Sequence, residues 1–182
     1  MTPFYTGLGD SGKTGFLGEG RISKSSERIE AVGTVDEATA ALGLARALTE
    51  SPLVQDILLK VQKQLYLLMA ELSADAETAD KFDWIHQSEV EWLEAEIAAI
   101  EQTIEMPREF IVPGGSAAGG ALALARTIVR RAERRAITLF DAGGFRKELL
   151  IAYLNRLSSL IFILEIVVAS GSESGLRFAK EE

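Results

Sequence analysis

Apolar residues recur at helical spacing along most of the chain, and this pattern limits the fold more than any other feature. Val54, Ile57, Leu58, Val61, Leu65, Leu68, Met69 and Leu72 follow the i, i+3, i+4 rule, which puts them on one stripe of a helix. Val90, Leu93, Ile97 and Ile100 form a second such stripe. No stretch alternates with a period of two over a useful length, so nothing in the pattern supports a half-buried sheet. Only four prolines are available to break helices.

Capping and breaking residues set the expected boundaries. Ser25 and Ser26 can cap a first helix, with Glu27 in its first turn, running to about Leu48. Ser51-Pro52 opens a second, with proline in the first turn. Residues 74–84 read as a polar connection. A third helix is expected over roughly 86–104, ended by Met106-Pro107. Phe110-Ile111-Val112 is short, extended and apolar, and Pro113-Gly114-Gly115 is a turn. Ser116 can then cap a fourth helix that reaches about Phe140. Asp141-Ala142-Gly143-Gly144 breaks it, and a fifth helix covers about 146–170, stopped by Gly171. These signals predict an all-α, up-and-down bundle of five helices in a single domain over 1–182. Within it, 1–24 is an irregular glycine-rich segment, 25–171 the bundle and 172–182 a polar tail.

Composition removes several functions. A net charge of −8 argues against a general binder of nucleic acid or membrane surfaces. The absence of Cys removes disulfides, thiolate metal sites and a Cys nucleophile, and suits a reducing cytoplasm. One histidine, His86, is too few for a zinc hydrolase or a His-centred triad, and its position reads as a helix start. Trp84 and Trp92 read as core or interface anchors. No apolar signal core opens the chain. The most apolar stretch, Leu157 to Ala169, contains Glu165 and is short for a bilayer span, so a buried bundle helix is expected there.

Three groups of residues carry candidate chemistry. Gly7 to Thr14, GLGDSGKT, matches the G-x-x-x-x-G-K-[ST] phosphate-loop pattern residue for residue. Its context is wrong for that fold. Only six residues precede it, Pro3 among them, and Gly15, Gly18 and Gly20 follow where the loop needs a helix. The stretch therefore reads as a glycine-rich phosphate-binding segment of another kind, or as a plain flexible terminus. The fourth helix holds Arg126, Arg130, Arg131, Arg134 and Arg135, five of the 19 basic residues. At ~100° per residue, Arg126, Arg130 and Glu133 fall nearly on one line, with Arg134 beside them and Arg131 and Arg135 pointing elsewhere. Leu122, Ala125, Val129, Ala132 and Phe140 form the adjacent apolar face. Arginine at a core edge suits carboxylate or phosphate partners, whereas a solvated face with intrahelical pairs is the plainer alternative. Asn155 on the fifth helix can meet a ligand or fix helix register. Asp36 and Glu37 of the first helix can meet arginines of another helix or subunit, or be surface acids.

Several motifs in order make the resemblance specific. T-G-L-G-D-S-G-K-T at 6–14, G-R-I-S-K at 20–24 and G-T-V-D-E at 33–37 come first. F-I-V-P-G-G-S at 110–116, A-R-T-I-V-R-R-A-E-R at 125–134 and Y-L-N-R-L-S at 153–158 follow. Together they closely resemble the PduO-type ATP:cob(I)alamin adenosyltransferases, over about Thr6 to Ile163. In that family the first motif is T-x-x-G-D-x-G-x-T, with the Lys13 position variable, so the phosphate-loop match is a coincidence of Lys13.

The resemblance implies a ferritin-like five-helix bundle assembling as a homotrimer, with ATP and corrinoid bound between subunits. It implies that Thr6, Gly7, Gly9, Asp10, Gly12, Thr14, Gly15 and Lys24 line the nucleotide from one subunit. Arg130, Glu133, Arg134 and Asn155 approach it from the next. Asp36 and Arg126 correspond to an intersubunit ion pair, and Phe110 to the apolar residue at the lower face of the corrin. The implied reaction is attack of cob(I)alamin on C5′ of ATP with loss of triphosphate, which needs no protein nucleophile. It needs charge around a polyanionic leaving group, and Arg130, Lys24 and Mg²⁺ carried by the phosphates suit that. A reductase and an adenosylcobalamin-dependent enzyme are the implied partners. The family often has His at Ala123, Asp at Ser159 and Arg at Glu165. A non-enzymatic ATP- or cobalamin-binding or delivery module, and a structural helical oligomer, are the competing classes.

Overall fold

The computed structural model describes residues 5–171 and 175–180, so the tail expected at 172–182 lies partly outside the described residues. Five long helices are present: α1 (Glu27–Leu48), α2 (Pro52–Ser73), α3 (Gln87–Glu101), α4 (Ala117–Asp141) and α5 (Leu149–Ser170). The caps explain where three of them start. Ser26, Ser51 and Ser116 accept hydrogen bonds from the amides of Ile29, Val54 and Gly119, each satisfying one orphan donor of the first turn.

Two boundaries differ from expectation for identifiable reasons. The third helix stops at Glu101 instead of 104, because both the amide and the hydroxyl of Thr103 bond to the Ile100 carbonyl. The fifth begins at Leu149 instead of 146, because the residues before it are committed elsewhere. Phe145 packs edge-on against Phe140, with centroids 5.4 Å apart. Lys147 Nζ donates to Glu71 Oε2 at 2.8 Å and also to Asp83. Glu71, itself buried, accepts from the Trp84 and Ile85 amides at 2.8 and 2.6 Å. The 74–84 connection, which includes a short 3₁₀ turn at Ala79–Lys81, is thereby tied to the start of α5.

α1 packs against α2 and α4, α4 against α5, and α5 against α3. Leu42, Leu58, Leu65, Leu68, Leu122, Leu154 and Leu157 are fully buried between them. Phe140, expected on the apolar face of α4, is only half-buried. Trp84 and Trp92 lie at the core edge rather than inside it. Trp84 meets Phe82 edge-on, and Trp92 packs partly buried beside the core, with Lys60 Nζ 3.8 Å from its ring centroid. α5 is long and apolar enough to cross a membrane by length and composition. Twelve of its residues are buried in the bundle, as a core helix requires. One of them, Tyr153, donates its hydroxyl to Gln64 Oε1 at 2.8 Å, and burial pushes its pKa up.

The N-terminal segment has more order than its composition predicts. β1 (Lys13–Thr14) pairs antiparallel with β2 (Ile22–Ser23), Lys13 opposite Ser23 and Thr14 opposite Ile22. The intervening loop docks on the end of α2: the Leu17 amide donates to Ser73 O, and the Asp75 amide donates to Leu17 O, both at 3.2 Å. Arg28 closes this end of the bundle, its guanidinium donating to the carbonyls of Leu72, Ala74 and Gly144. At the other end, the Val112 amide donates to Arg177 O at 2.8 Å and the Ala179 amide to Phe110 O at 2.9 Å. The described part of the tail is therefore paired with the short 110–112 segment rather than free.

Candidate functional site

The helical period sorts the α4 arginines by partner. Arg131 pairs with Glu37, and Arg135 Nε lies 3.2 Å from Glu30 Oε1, so both are held by acids of α1. Arg126 and Arg130 turn the other way, into a groove between α3, α4 and α5. There they line a cavity of about 610 Å³ with Asn155, Arg156, Phe162 and Met106. Arg130 is exposed, and its guanidinium has no hydrogen bond or ion pair to any described residue. Arg134 folds back along its own helix, donating to Arg130 O at 3.0 Å.

Asn155 holds the floor of this groove. Its Nδ2 donates to Glu133 Oε1 at 2.9 Å, and its Oδ1 accepts from Arg156 Nη1 at 3.0 Å. Arg156 Nε in turn donates to Glu94 Oε1 at 2.8 Å, which ties α5 to α3. The chain Glu94–Arg156–Asn155–Glu133 thus spans three helices and fixes the groove wall. Arg156 and Glu94 were not among the expected site residues, although Arg156 lies within the quoted Y-L-N-R-L-S stretch. Phe162 was missed as well, because an aromatic on an apolar helix reads as core.

Arg126 is oriented from behind. Its Nε lies 3.8 Å from Glu165 Oε2, and its guanidinium carbon is 5.5 Å from the Phe162 ring centroid. Glu165 is only 3% exposed. Burial pushes its carboxyl above the usual range, partly offset by Arg126. Asp36, expected to meet Arg126 across a subunit boundary, forms no ion pair among the described residues. The departures at Ala123 and Ser159 fall on a buried face of α4 and at the cavity wall respectively.

The glycine-rich segment forms a second assembly. Gly7 and Gly12 have φ of 69° and 75°, where a side chain is strained, and the carbonyl of each accepts from a backbone amide of the segment. The Asp10 amide donates to Gly7 O at 3.1 Å, and the Lys24 amide to Gly12 O at 2.9 Å. A Cβ at Gly9 would stand 2.9 Å from Lys24 Nζ, so a side chain there would make that ammonium shift from its place across the loop. Arg21, not foreseen as a site residue, pins the turn by donating to Leu8 O at 2.9 Å and Lys13 O at 2.6 Å. Thr6, Asp10, Thr14 and Gly15 belong to the same loop. No helix follows Thr14, which sits in β1, so the phosphate-loop arrangement is absent. Phe110 stands apart from both assemblies, 76% exposed on the short segment before α4.

No hydrogen bond or ion pair joins the loop of residues 6–24 to Arg130, Glu133, Arg134 or Asn155 within the described chain. One assembly rests on the ends of α1 and α2, the other on the far face of α4 and α5.

The comparisons agree with this geometry. The cobalamin adenosyltransferase family model matches residues 4–168. A corrinoid adenosyltransferase from Bacillus subtilis is 38% identical over 175 residues, covering 94% of this chain and 89% of that relative. Corrinoid adenosyltransferase PduO from Citrobacter freundii is 38% identical over 161 residues, covering 88% of this chain. This chain spans about half the length of that relative, 48%. A variant PduO-type ATP:corrinoid adenosyltransferase from Lactobacillus reuteri, solved complexed with cobalamin and ATP, superposes with a TM-score of 0.90 at 27% identity. That match covers 98% of this chain and 97% of the solved one. A five-helix bundle with a glycine-rich loop at one end and an arginine-lined groove on α4 and α5, matched over nearly its whole length, belongs to the cobalamin adenosyltransferase family.

Proposed function

We propose that the chain transfers the 5′-deoxyadenosyl group of ATP to the cobalt of cob(I)alamin or a related corrinoid and releases triphosphate. The observation that carries this reading is Arg130, an unpaired guanidinium in a cavity beside a fixed Asn155–Glu133 pair, in a chain with an excess of acid. Such a group serves no structural partner among the described residues and suits bidentate contact with phosphate.

The two assemblies on separate faces support a site completed by a second copy. In the proposed homotrimer, Thr6, Gly7, Gly9, Asp10, Gly12, Thr14, Gly15 and Lys24 hold the nucleotide from one subunit. Arg130, Glu133, Arg134 and Asn155 meet it from the next, and Asp36 pairs with Arg126 across the seam. Loop amides and the Lys24 ammonium would cradle the phosphates without a helix behind them. Phe110 covers the lower face of the corrin and keeps an axial ligand away from cobalt.

In the reaction, the cobalt(I) electron pair forms the carbon–cobalt bond as the C5′–oxygen bond breaks, and cobalt leaves as cobalt(III). Arg130 stabilises negative charge gathering on the departing triphosphate, which is worth most in a site from which water is excluded. No group of three or more acidic or His side chains is arranged to hold a metal ion among the described residues. Mg²⁺ is therefore proposed to be held through the phosphates, its usual mode with nucleotides, rather than in a protein cage. We also take the chain to act as one domain in the cytoplasm, receiving electrons through a reductase and passing its product to an adenosylcobalamin-dependent enzyme.

The test is direct. Purified protein is given pre-reduced corrinoid and magnesium ATP, and both triphosphate release and the carbon–cobalt bond are followed. Stoichiometric appearance of both supports the proposal. ATP binding without transfer would instead make the protein a binding or delivery module.

A further inference from the structure

Glu165 is the one acidic residue buried in α5, among Leu and Ile side chains. Its Oε2 and the Arg126 Nε are both buried, 3.8 Å apart, and neither has a hydrogen-bond partner. A buried carboxylate costs several kcal/mol to desolvate, and apolar residues of similar volume are often as stable or more so. Stability alone is thus a weak account of a glutamate there.

Its position gives a better one. Arg126 lies four residues before Arg130 on α4, about 6 Å along the axis, on the same cavity wall. Glu165 approaches it from the core side and Phe162 covers its guanidinium. The two terminal nitrogens of Arg126 bond to nothing in the described chain. Glu165 also borders a small void lined by Ile111, Val112, Gly115, Leu176 and Arg177, so that it neighbours the residues that follow Phe110. Glu165 therefore sits between the arginine wall and the Phe110 segment, touching both regions and facing neither solvent nor the nucleotide loop.

We propose that Glu165 is a positioning residue, which holds Arg126 and thereby sets the corrinoid end of the cavity relative to Arg130. The inference rests on the adenosyltransferase reading. It predicts a defect specific to one substrate, since the nucleotide groups do not depend on Glu165.

Glu165→Gln keeps the shape and removes the charge. Corrinoid KM should rise about tenfold, while kcat and the ATP dissociation constant stay near those of the parent. Arg126→Lys should give a comparable rise, and the Glu165→Gln/Arg126→Lys double variant should add little to it, because both remove one coupled contact. Glu165→Asp, which retains the charge on a shorter arm, should recover part of the corrinoid affinity. Unchanged corrinoid KM in Glu165→Gln, with the parent active, overturns the positioning role and leaves the enzyme assignment standing. Uniform loss of ATP affinity, kcat and melting temperature also overturns it, by making the residue structural. An inactive parent removes the enzyme assignment and this inference with it.

Discussion

Replacing Arg130 by alanine separates catalysis from folding more cleanly than any other change in this chain. The side chain is exposed and makes no hydrogen bond, ion pair or ring contact within the described residues. Its removal deletes no packing and leaves no buried partner behind, so stability should move by no more than about 0.5 kcal/mol. For a chain of this size that is a melting shift of at most about 2 °C. The effect on turnover is of a different order. Removing one preorganised donor to developing negative charge costs about 10²–10³ in kcat, or roughly 2.7–4 kcal/mol. Arg130→Lys should fall between, since it restores the charge without the planar fork.

The assay is steady-state adenosyl transfer at saturating ATP and corrinoid, with melting curves on the same samples. Locating the loss matters as much as its size. A guanidinium that acts on the leaving triphosphate lowers kcat and kcat/KM together, whereas one that merely holds ground-state nucleotide raises the ATP KM and spares kcat. Turnover within threefold of the parent, with the fold intact, would refute the role given to Arg130. A fall of several degrees in melting temperature would refute the reasoning from its missing partners.

Three further outcomes are expected. Phe110→Ala, at an exposed position, should leave the melting temperature unchanged but weaken the electron paramagnetic resonance signal of four-coordinate cobalt(II); an identical spectrum rejects its place under the corrin. Tyr153→Phe should cost about 1–3 kcal/mol in urea melts, because it strands the buried Gln64 carbonyl, and adding Gln64→Leu should return most of that loss. The hydrogen bond and charge of Lys147 hold the Asp83 carboxyl below its usual range. Its contribution to stability is therefore present above the ordinary aspartate value near ~3.9 and is lost as pH falls through the lower folded value. Asp83→Asn should flatten that acid limb in melts taken across it, and an unaltered limb contradicts the linkage.

The helices were legible because their signals are local. Ser26, Ser51 and Ser116 announce three starts, and the apolar stripe of α2 follows the helical period for five turns. Of the two misplaced ends, that of α3 was set locally, by Thr103 bonding back to Ile100, and that of α5 by contacts between distant residues. Nothing near position 146 reveals that Lys147 is claimed by Glu71 and Asp83, which are 76 and 64 residues away. Order in the glycine-rich segment was hidden for the same reason. Arg21 and the Leu17 contact with the end of α2 supply it, and neither has a local pattern. Asn155 could be assigned only to two open alternatives from its type, and in the chain it bonds Glu133 while remaining on the cavity wall.

The arginines of α4 show why partners inform more than counts. Five cations in ten positions are indistinguishable by composition. In the fold, α1 acids neutralise Arg131 and Arg135, a carbonyl of its own helix engages Arg134, and Glu165 backs Arg126. Among the described residues, the Arg130 guanidinium alone of the five is left with nothing to hold, and of the two acids in the G-T-V-D-E stretch Asp36 lacks a partner. A surplus cation on α4 and a surplus anion on α1, on faces that do not meet within one molecule, are complementary only between molecules or through a ligand. The glycine-rich loop has the same incompleteness, since it offers amides and an ammonium to phosphate but bonds to no arginine of α4 among the described residues. If each copy contributes one side of a site to its neighbour, as proposed, the chain should bind ATP poorly as a monomer.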